Sequence, residues 1–200
     1  MTRSRRRLAT AALGLGAMAA IPLAACPAAS ARDGWSVAAY GGAWVADGAP
    51  WEAGLFDFED AQLALLTIGK DLFRVGDHLR IEAEGQVGKH FGEQDHFEVN
   101  AALLARWLTF PWDRHIDTSA AVGSGLSYAT ETPALEERLN TDDGTQRLLN
   151  YLVFELELSL PSEPSWSAVL RLHHRSGVFG LFGGARGASD FLLAGVRCRF

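Results

Sequence analysis

The sequence predicts an all-β fold, an eight-stranded antiparallel transmembrane β-barrel behind a cleaved signal peptide. Three observations predict it. The first 31 residues read as a secretory leader, the rest divides into eight alternating segments, and the last of these closes on Phe200.

Arg3, Arg5, Arg6 and Arg7 form a basic start, and an apolar run rich in Ala, Leu and Gly follows from Leu8 to Ala25. Ala29-Ser30-Ala31 is a small-residue cleavage site. The division is therefore a signal peptide over 1–31 and a barrel domain over 32–200. Two other readings of the leader stand beside it. Leu23-Ala24-Ala25-Cys26 also fits a lipoprotein box with Cys26 acylated, and Ser4-Arg5-Arg6 is faintly twin-arginine-like. The twin-arginine route carries folded cargo, which suits a membrane barrel poorly. Cleavage after Ala31 leaves Cys198 as the lone cysteine and excludes an intramolecular disulfide.

The whole chain has 18 basic and 24 acidic residues. Losing the four Arg of the leader leaves 14 against 24, a net charge of −10. Phosphate backbones are held by clustered Lys and Arg, so this balance excludes a nucleic-acid partner. No apolar run of about 18 residues follows the leader, which excludes a transmembrane helix.

The predicted strands are 35–46, 62–73, 78–89, 96–110, 115–129, 148–160, 166–176 and 189–200. Turn formers punctuate them: Asp47-Gly48-Ala49-Pro50, Gly76-Asp77, Pro111-Trp112-Asp113, Asp142-Asp143-Gly144 and Pro161-Ser162-Glu163-Pro164. Alternation inside the segments is the main signal. In the third, Leu79, Ile81, Ala83, Gly85 and Val87 oppose His78, Arg80, Glu82, Glu84 and Gln86. In the sixth, Leu152, Phe154, Leu156, Leu158 and Leu160 oppose Val153, Glu155, Glu157 and Ser159. A side-chain period of two places such sets on opposite faces.

A soluble sandwich buries its apolar face, whereas a membrane barrel turns it to lipid and keeps a polar lumen. Segment length favours the barrel, because about 9–11 tilted residues span a bilayer and soluble strands average about 5–6. An even strand number also lets an antiparallel sheet close without a free edge. The expected lumen holds Arg80, Glu82, Glu84, Glu98, Asn100, Arg106, His115, Asp117, Glu155, Glu157, Arg171, His173, Arg175, Arg197 and Arg199. An eight-stranded barrel is filled by side chains rather than open as a pore, so these charges read as structural glue. Gly195-Val196-Arg197-Cys198-Arg199-Phe200 resembles the terminal signal that outer-membrane barrels present to their assembly machinery. Cys198 stands where an aromatic is more usual.

The chemical signal is Leu170-Arg171-Leu172-His173-His174-Arg175-Ser176-Gly177. If Phe200 faces lipid, so do Asp190, Leu192, Ala194, Val196 and Cys198. The apolar set Trp166, Ala168, Leu170 and Leu172 continues into His174 and Ser176, so these two also point outward. Running the seventh strand up and the eighth down sets His174 and Asp190 at similar heights. Ser176 then reads as nucleophile, His174 as general base and Asp190 as the acid that orients the imidazole. Polar groups on a lipid face are costly, which argues for function there. The plainer reading is that His174 and Ser176 mark where the strand leaves the membrane.

His174-x-Ser176, the strand count and the closing strand together resemble the lipid A 3-O-deacylases of the PagL type. The resemblance implies an outer-membrane esterase that hydrolyses an ester-linked acyl chain of lipopolysaccharide, with no cofactor and no metal. The family carries Asn after the serine, and this chain has Gly177, so the backbone N–H groups of Gly177 and Phe179 take the oxyanion role. The family's usual acid is Glu, and here it is Asp190. The Gly-rich loop 177–187 would bed acyl chains, and Arg186 would meet a lipid A phosphate. Which acyl position is cleaved, and whether the protein forms a homodimer, stay open.

Two other function classes fit the same sequence. One is a non-catalytic structural or adhesive barrel, whose acidic outer loop 130–146 would bind divalent ions weakly. The other is a soluble periplasmic sandwich anchored through Cys26.

Overall fold

The computed structural model describes Cys26 and residues 34–45, 58–141 and 144–200. The signal-peptide reading of 1–31 falls outside these residues, Cys26 excepted, as does the turn expected at 47–50. Eight antiparallel strands form one closed barrel in sequence order. They are β1 (Trp35–Val45), β2 (Phe58–Val75), β3 (Leu79–Gly92), β4 (Phe97–Trp107), β5 (Asp117–Ala129), β6 (Leu148–Ser159), β7 (Trp166–Ser176) and β8 (Ala188–Arg199). Closure comes from β1 pairing with β8, from Ser36 opposite Arg199 to Trp44 opposite Phe191. All eight expected segments are strands, and β7 keeps its expected bounds. β2 extends past its expected bounds at both ends.

Burial is inverted relative to a soluble protein. Leu66, Ile68, Leu103, Leu126, Phe154, Leu170 and Val196 are exposed on the outer wall. Arg106, Arg171, Arg175 and Arg197 are among the most buried side chains. Trp35, Trp107 and Trp112 stand exposed toward one end, and Phe91, Phe97 and Tyr128 toward the other, as interfacial girdles do. We call the end with the short β2–β3, β4–β5 and β6–β7 connections the turn end and the opposite one the loop end.

The lumen is layered. Its charged layer is one network: Arg171 pairs with Glu84 at 2.7 Å, Arg197 with Glu155 at 2.8 Å, and Arg106 with Glu82 and Glu157 at 3.0 Å. Tyr40 donates to Glu155 at 3.0 Å and lies under the Arg171 guanidinium. Two expected lumen residues are not inside. His115 lies in the β4–β5 turn and Asp117 on the rim, both exposed, because β5 begins only there. A second layer is apolar, a departure from a uniformly polar lumen. Tyr40, Trp44, Leu63, Leu65, Phe191 and Leu193 pack there with Leu135.

Leu135 belongs to an element that was expected as loop. Helix α1 (Ala134–Leu139) lies within the β5–β6 connection, and its Leu135 and Glu136 are buried. Glu136 accepts hydrogen bonds from Arg175 at 2.9 Å, Ser189 at 2.7 Å and Thr145 at 2.6 Å. Part of the connection therefore packs onto the barrel, while Glu131 and Glu137 stay exposed. Glu136→Ala leaves Arg175 as a buried charge without its carboxylate, which costs about 3–5 kcal/mol. The expected result is protease cleavage within 130–147 of the folded variant, where the parent resists. Equal resistance of the two would show that Glu136 does not hold the segment.

Cys26 and Cys198 form a disulfide with Cα atoms 5.8 Å apart. The exclusion of an intramolecular bond holds only for a chain cut after Ala31, which no longer contains Cys26. The bond and removal of residues 1–31 exclude each other, and so do the bond and acylation of Cys26. The sequence could not reveal it, because spatial proximity across 172 positions is set by barrel closure. Intact mass of the membrane-extracted protein separates the bond from cleavage after Ala31: a chain that retains Cys26 gains two hydrogens on reduction of the bond. A chain starting at Arg32 would overturn the bond.

Candidate active site on the last two strands

β7 buries Ser167, Val169, Arg171, His173 and Arg175, so Ala168, Leu170, Leu172, His174 and Ser176 occupy the outer face. On β8, burial of Ser189, Phe191 and Leu193 likewise turns Asp190 outward. The register sets His174 directly opposite Asp190 and Ser176 opposite Ala188. His174 Nδ1 and Asp190 Oδ1 are 2.8 Å apart, with side-chain exposures of 23% and 33%. An imidazole that donates from Nδ1 presents Nε2 as the free base. The short Asp side chain reaches the ring because the two residues are a direct cross-strand pair.

Ser176 lies two positions from His174 on the same face. Among the described residues its hydroxyl makes no hydrogen bond, to His174 or otherwise. His173 points inward and its Nε2–H donates to the Glu98 carboxylate at 2.9 Å, as a structural lumen residue should.

The loop after Ser176 is strained. Val178 and Phe179 have φ of 47° and 56°. A β-branched residue in the left-handed region is a genuine outlier, and such strain gathers at functional sites. Gly177 is required where it stands, since a Cβ there would lie 1.9 Å from the Ala185 carbonyl oxygen. Asn at this position is therefore excluded without moving the loop. The Gly177 N–H donates to Gly187 O at 3.2 Å, so it is already engaged and not open to an oxyanion. The Phe179 N–H has no backbone partner among the described residues. The Phe179 side chain is 95% exposed and that of Leu181 78%, making an apolar tip. Arg186 is exposed and forms no ion pair among the described residues.

One polar neighbour was missed from sequence. Asn150 on β6 is directly opposite Ser176 and also faces outward. Its Oδ1 accepts from Ser124 Oγ at 3.2 Å, and its Nδ2 has no partner among the described residues. A polar residue on an otherwise apolar face, Leu148-Asn150-Leu152-Phe154, was the available signal. Only the register could say which residue it accompanies.

A closed eight-stranded barrel with an apolar exterior and a charged interior is the architecture of outer-membrane barrel proteins. No protein-family model matches the chain, and no curated protein matches it. Among solved structures it is similar to the outer membrane enzyme PagL, with a TM-score of 0.53 and 15% identity over 80% of this chain and 97% of that one. It is also similar to Neisserial surface protein A, with a TM-score of 0.50 and 14% identity over 84% and 97%. At such identities the likeness concerns the fold.

Proposed function

We propose that this protein is an outer-membrane esterase that removes an ester-linked acyl chain from lipid A of lipopolysaccharide. The observation that carries this reading is the His174–Asp190 bond on the outer wall, two residues from Ser176. A pair of this kind inside the lumen would be structural glue. On the outer wall it is open to molecules that arrive laterally through the membrane. The exposed Phe179 and Leu181 suit acyl chains, and Arg186 suits a phosphate beside them.

The reaction follows from these groups. Ser176 Oγ attacks the ester carbonyl carbon while its proton passes to His174 Nε2. Asp190 holds the imidazole tautomer and stabilises the imidazolium. Collapse of the tetrahedral intermediate breaks the bond to the sugar oxygen, which takes the proton from His174. Water then releases the acyl group from Ser176 by the same route. Ser176 and His174 must draw into hydrogen-bond contact when substrate binds, as catalytic contacts often do. The developing oxyanion is met by Asn150 Nδ2 and the Phe179 N–H, since Gly177 is engaged elsewhere. Asn150→Ala is expected to lower kcat by roughly 10²–10³ with little change in KM, read on a detergent-solubilised lipid A substrate. An unchanged kcat would remove Asn150 from the site.

The test of the activity itself is mass spectrometry of lipid A from cells with and without the protein. Loss of one ester-linked acyl chain is expected, and unchanged lipid A overturns the reading. A barrel without catalysis is the second reading, favoured by the absent Ser176–His174 hydrogen bond. Location in the outer membrane, and insertion there by the barrel-assembly machinery, are part of both readings.

A further inference from the structure

We infer that the loop end of the lumen holds a zinc-type divalent metal site built from His90, His96 and Glu98. The inference does not depend on the esterase reading. One ligand atom from each of these three buried residues lies within 4.8 Å of the other two. His90 is on β3, Glu98 is on β4, and His96 is in the connection between them. Two imidazoles and one carboxylate are a donor set that suits zinc and its neighbours, whereas calcium and magnesium favour all-oxygen shells.

The unpaired atoms point to an ion. His96 is buried, and its Nε2 has no hydrogen-bond partner. Its ring stacks on His90 with centroids 4.2 Å apart. His90 Nε2 lies 2.8 Å from Glu98 Oε2, so two of the three donors already converge. The other Glu98 oxygen, Oε1, is held by Ser127 at 3.0 Å and His173 at 2.9 Å, which leaves Oε2 to ligate.

The surroundings match what a metal-bound histidine needs. Such a ring donates its remaining N–H to an outer acceptor. Gln94 sits at that position, 3.0 Å from His90 Nδ1, with its Nε2 toward the ring. Its Oε1 is buried and without a partner. Ligation through His90 Nε2 requires the tautomer with the ring proton on Nδ1, and a flip of the Gln94 amide brings Oε1 to accept that proton. That one rotation satisfies an atom that otherwise has nothing to bond. Zinc–donor bonds of about 2.0–2.1 Å require the donors to close to about 3.4 Å. The stacked rings reach this by turning about χ2 until their lone pairs converge, with water in the fourth position. Arg175, which adds positive potential at Glu98, is already paired with Glu136.

An ion here ties the β3–β4 connection to the barrel wall. Through Glu98 and His173 it also stiffens β7, the strand that carries His174 and Ser176 on its other face.

The test uses the full chain in detergent, stripped with a chelator, exposed to zinc chloride and then desalted. Elemental analysis is expected to find one zinc per chain. His96→Gln is expected to weaken zinc retention about tenfold or more, whereas His78→Gln, at the turn end, keeps it. Zinc is expected to raise the melting temperature of the parent but not of His96→Gln. Absence of zinc on the parent, or equal retention by His96→Gln, overturns the site. Cobalt(II) on the parent gives a reading that needs no variant. Visible bands of a four-coordinate nitrogen–oxygen shell support the site, and a spectrum of hydrated cobalt counts against it.

Discussion

Under the proposed esterase activity, Ser176→Ala is expected to leave lipid A fully acylated in cells where the parent removes a chain, while the barrel still folds. The expected loss in kcat is on the order of 10⁶, the effect of removing the nucleophile from a serine–histidine–acid set. Folding survives because the Ser176 hydroxyl holds no hydrogen bond among the described residues, and because Ala suits an outer face already lined by Ala168, Leu170 and Leu172. Two measurements separate the outcomes. Mass spectrometry reports the acyl chains, and heat-dependent gel mobility reports the closed barrel. A folded Ser176→Ala variant that still deacylates would falsify the role of Ser176. Asp190→Asn offers a graded companion, since it keeps the cross-strand position but not the charge. Its expected loss is about 10⁴.

Glu155→Ala is expected to produce the largest loss of stability. The carboxylate contacts Arg106, Arg171 and Arg197 and accepts from Tyr40. Removing it leaves three buried guanidiniums crowded together with one carboxylate fewer to balance them. Breaking a buried pair costs about 3–5 kcal/mol, and with three cations affected the upper end applies. Against a typical domain stability of about 5–15 kcal/mol, that is a large share. Urea unfolding of the refolded barrel should show the shift. Glu131→Ala removes the same charge from an exposed position and is expected to stay within about 0.5 kcal/mol. Similar midpoints for the two variants would mean that the network is not what holds the lumen. The same network explains how a chain with 24 acidic residues can bury several carboxylates. Nearly every buried glutamate in the charged layer has a guanidinium within 3.5 Å.

The strand count, the inward and outward sets and the outward placement of His174, Ser176 and Asp190 were legible in the amino-acid order. The reason is local. Once a segment is extended, a period of two assigns each side chain to a face, and Phe200 or a run such as Leu79-Ile81-Ala83 says which face meets lipid. His115 and Asp117 show the limit of that logic, because it holds only inside the strand and they lie at or before its start. The charged loop from 130 to 147 shows another. Its acidic composition suggested solvent, but Glu136 finds Arg175 and Ser189 only after β7 and β8 are in place.

Register and closure decided the rest. Local periodicity put His174 and Asp190 on one wall, and the β7–β8 register made them a bonded pair. Asn150 is an ordinary polar residue until the β6–β7 register sets it against Ser176. Gly177 reads as a site for an oxyanion donor until the loop folds back, engaging its N–H and filling the space that a side chain would need. Cys26 meets Cys198, and His96 turns in beside His90 and Glu98, only because the strands close on themselves. Each of these depends on contacts between residues far apart in the chain. A two-residue period carries no information about which distant strands become neighbours, or by how many residues they are offset.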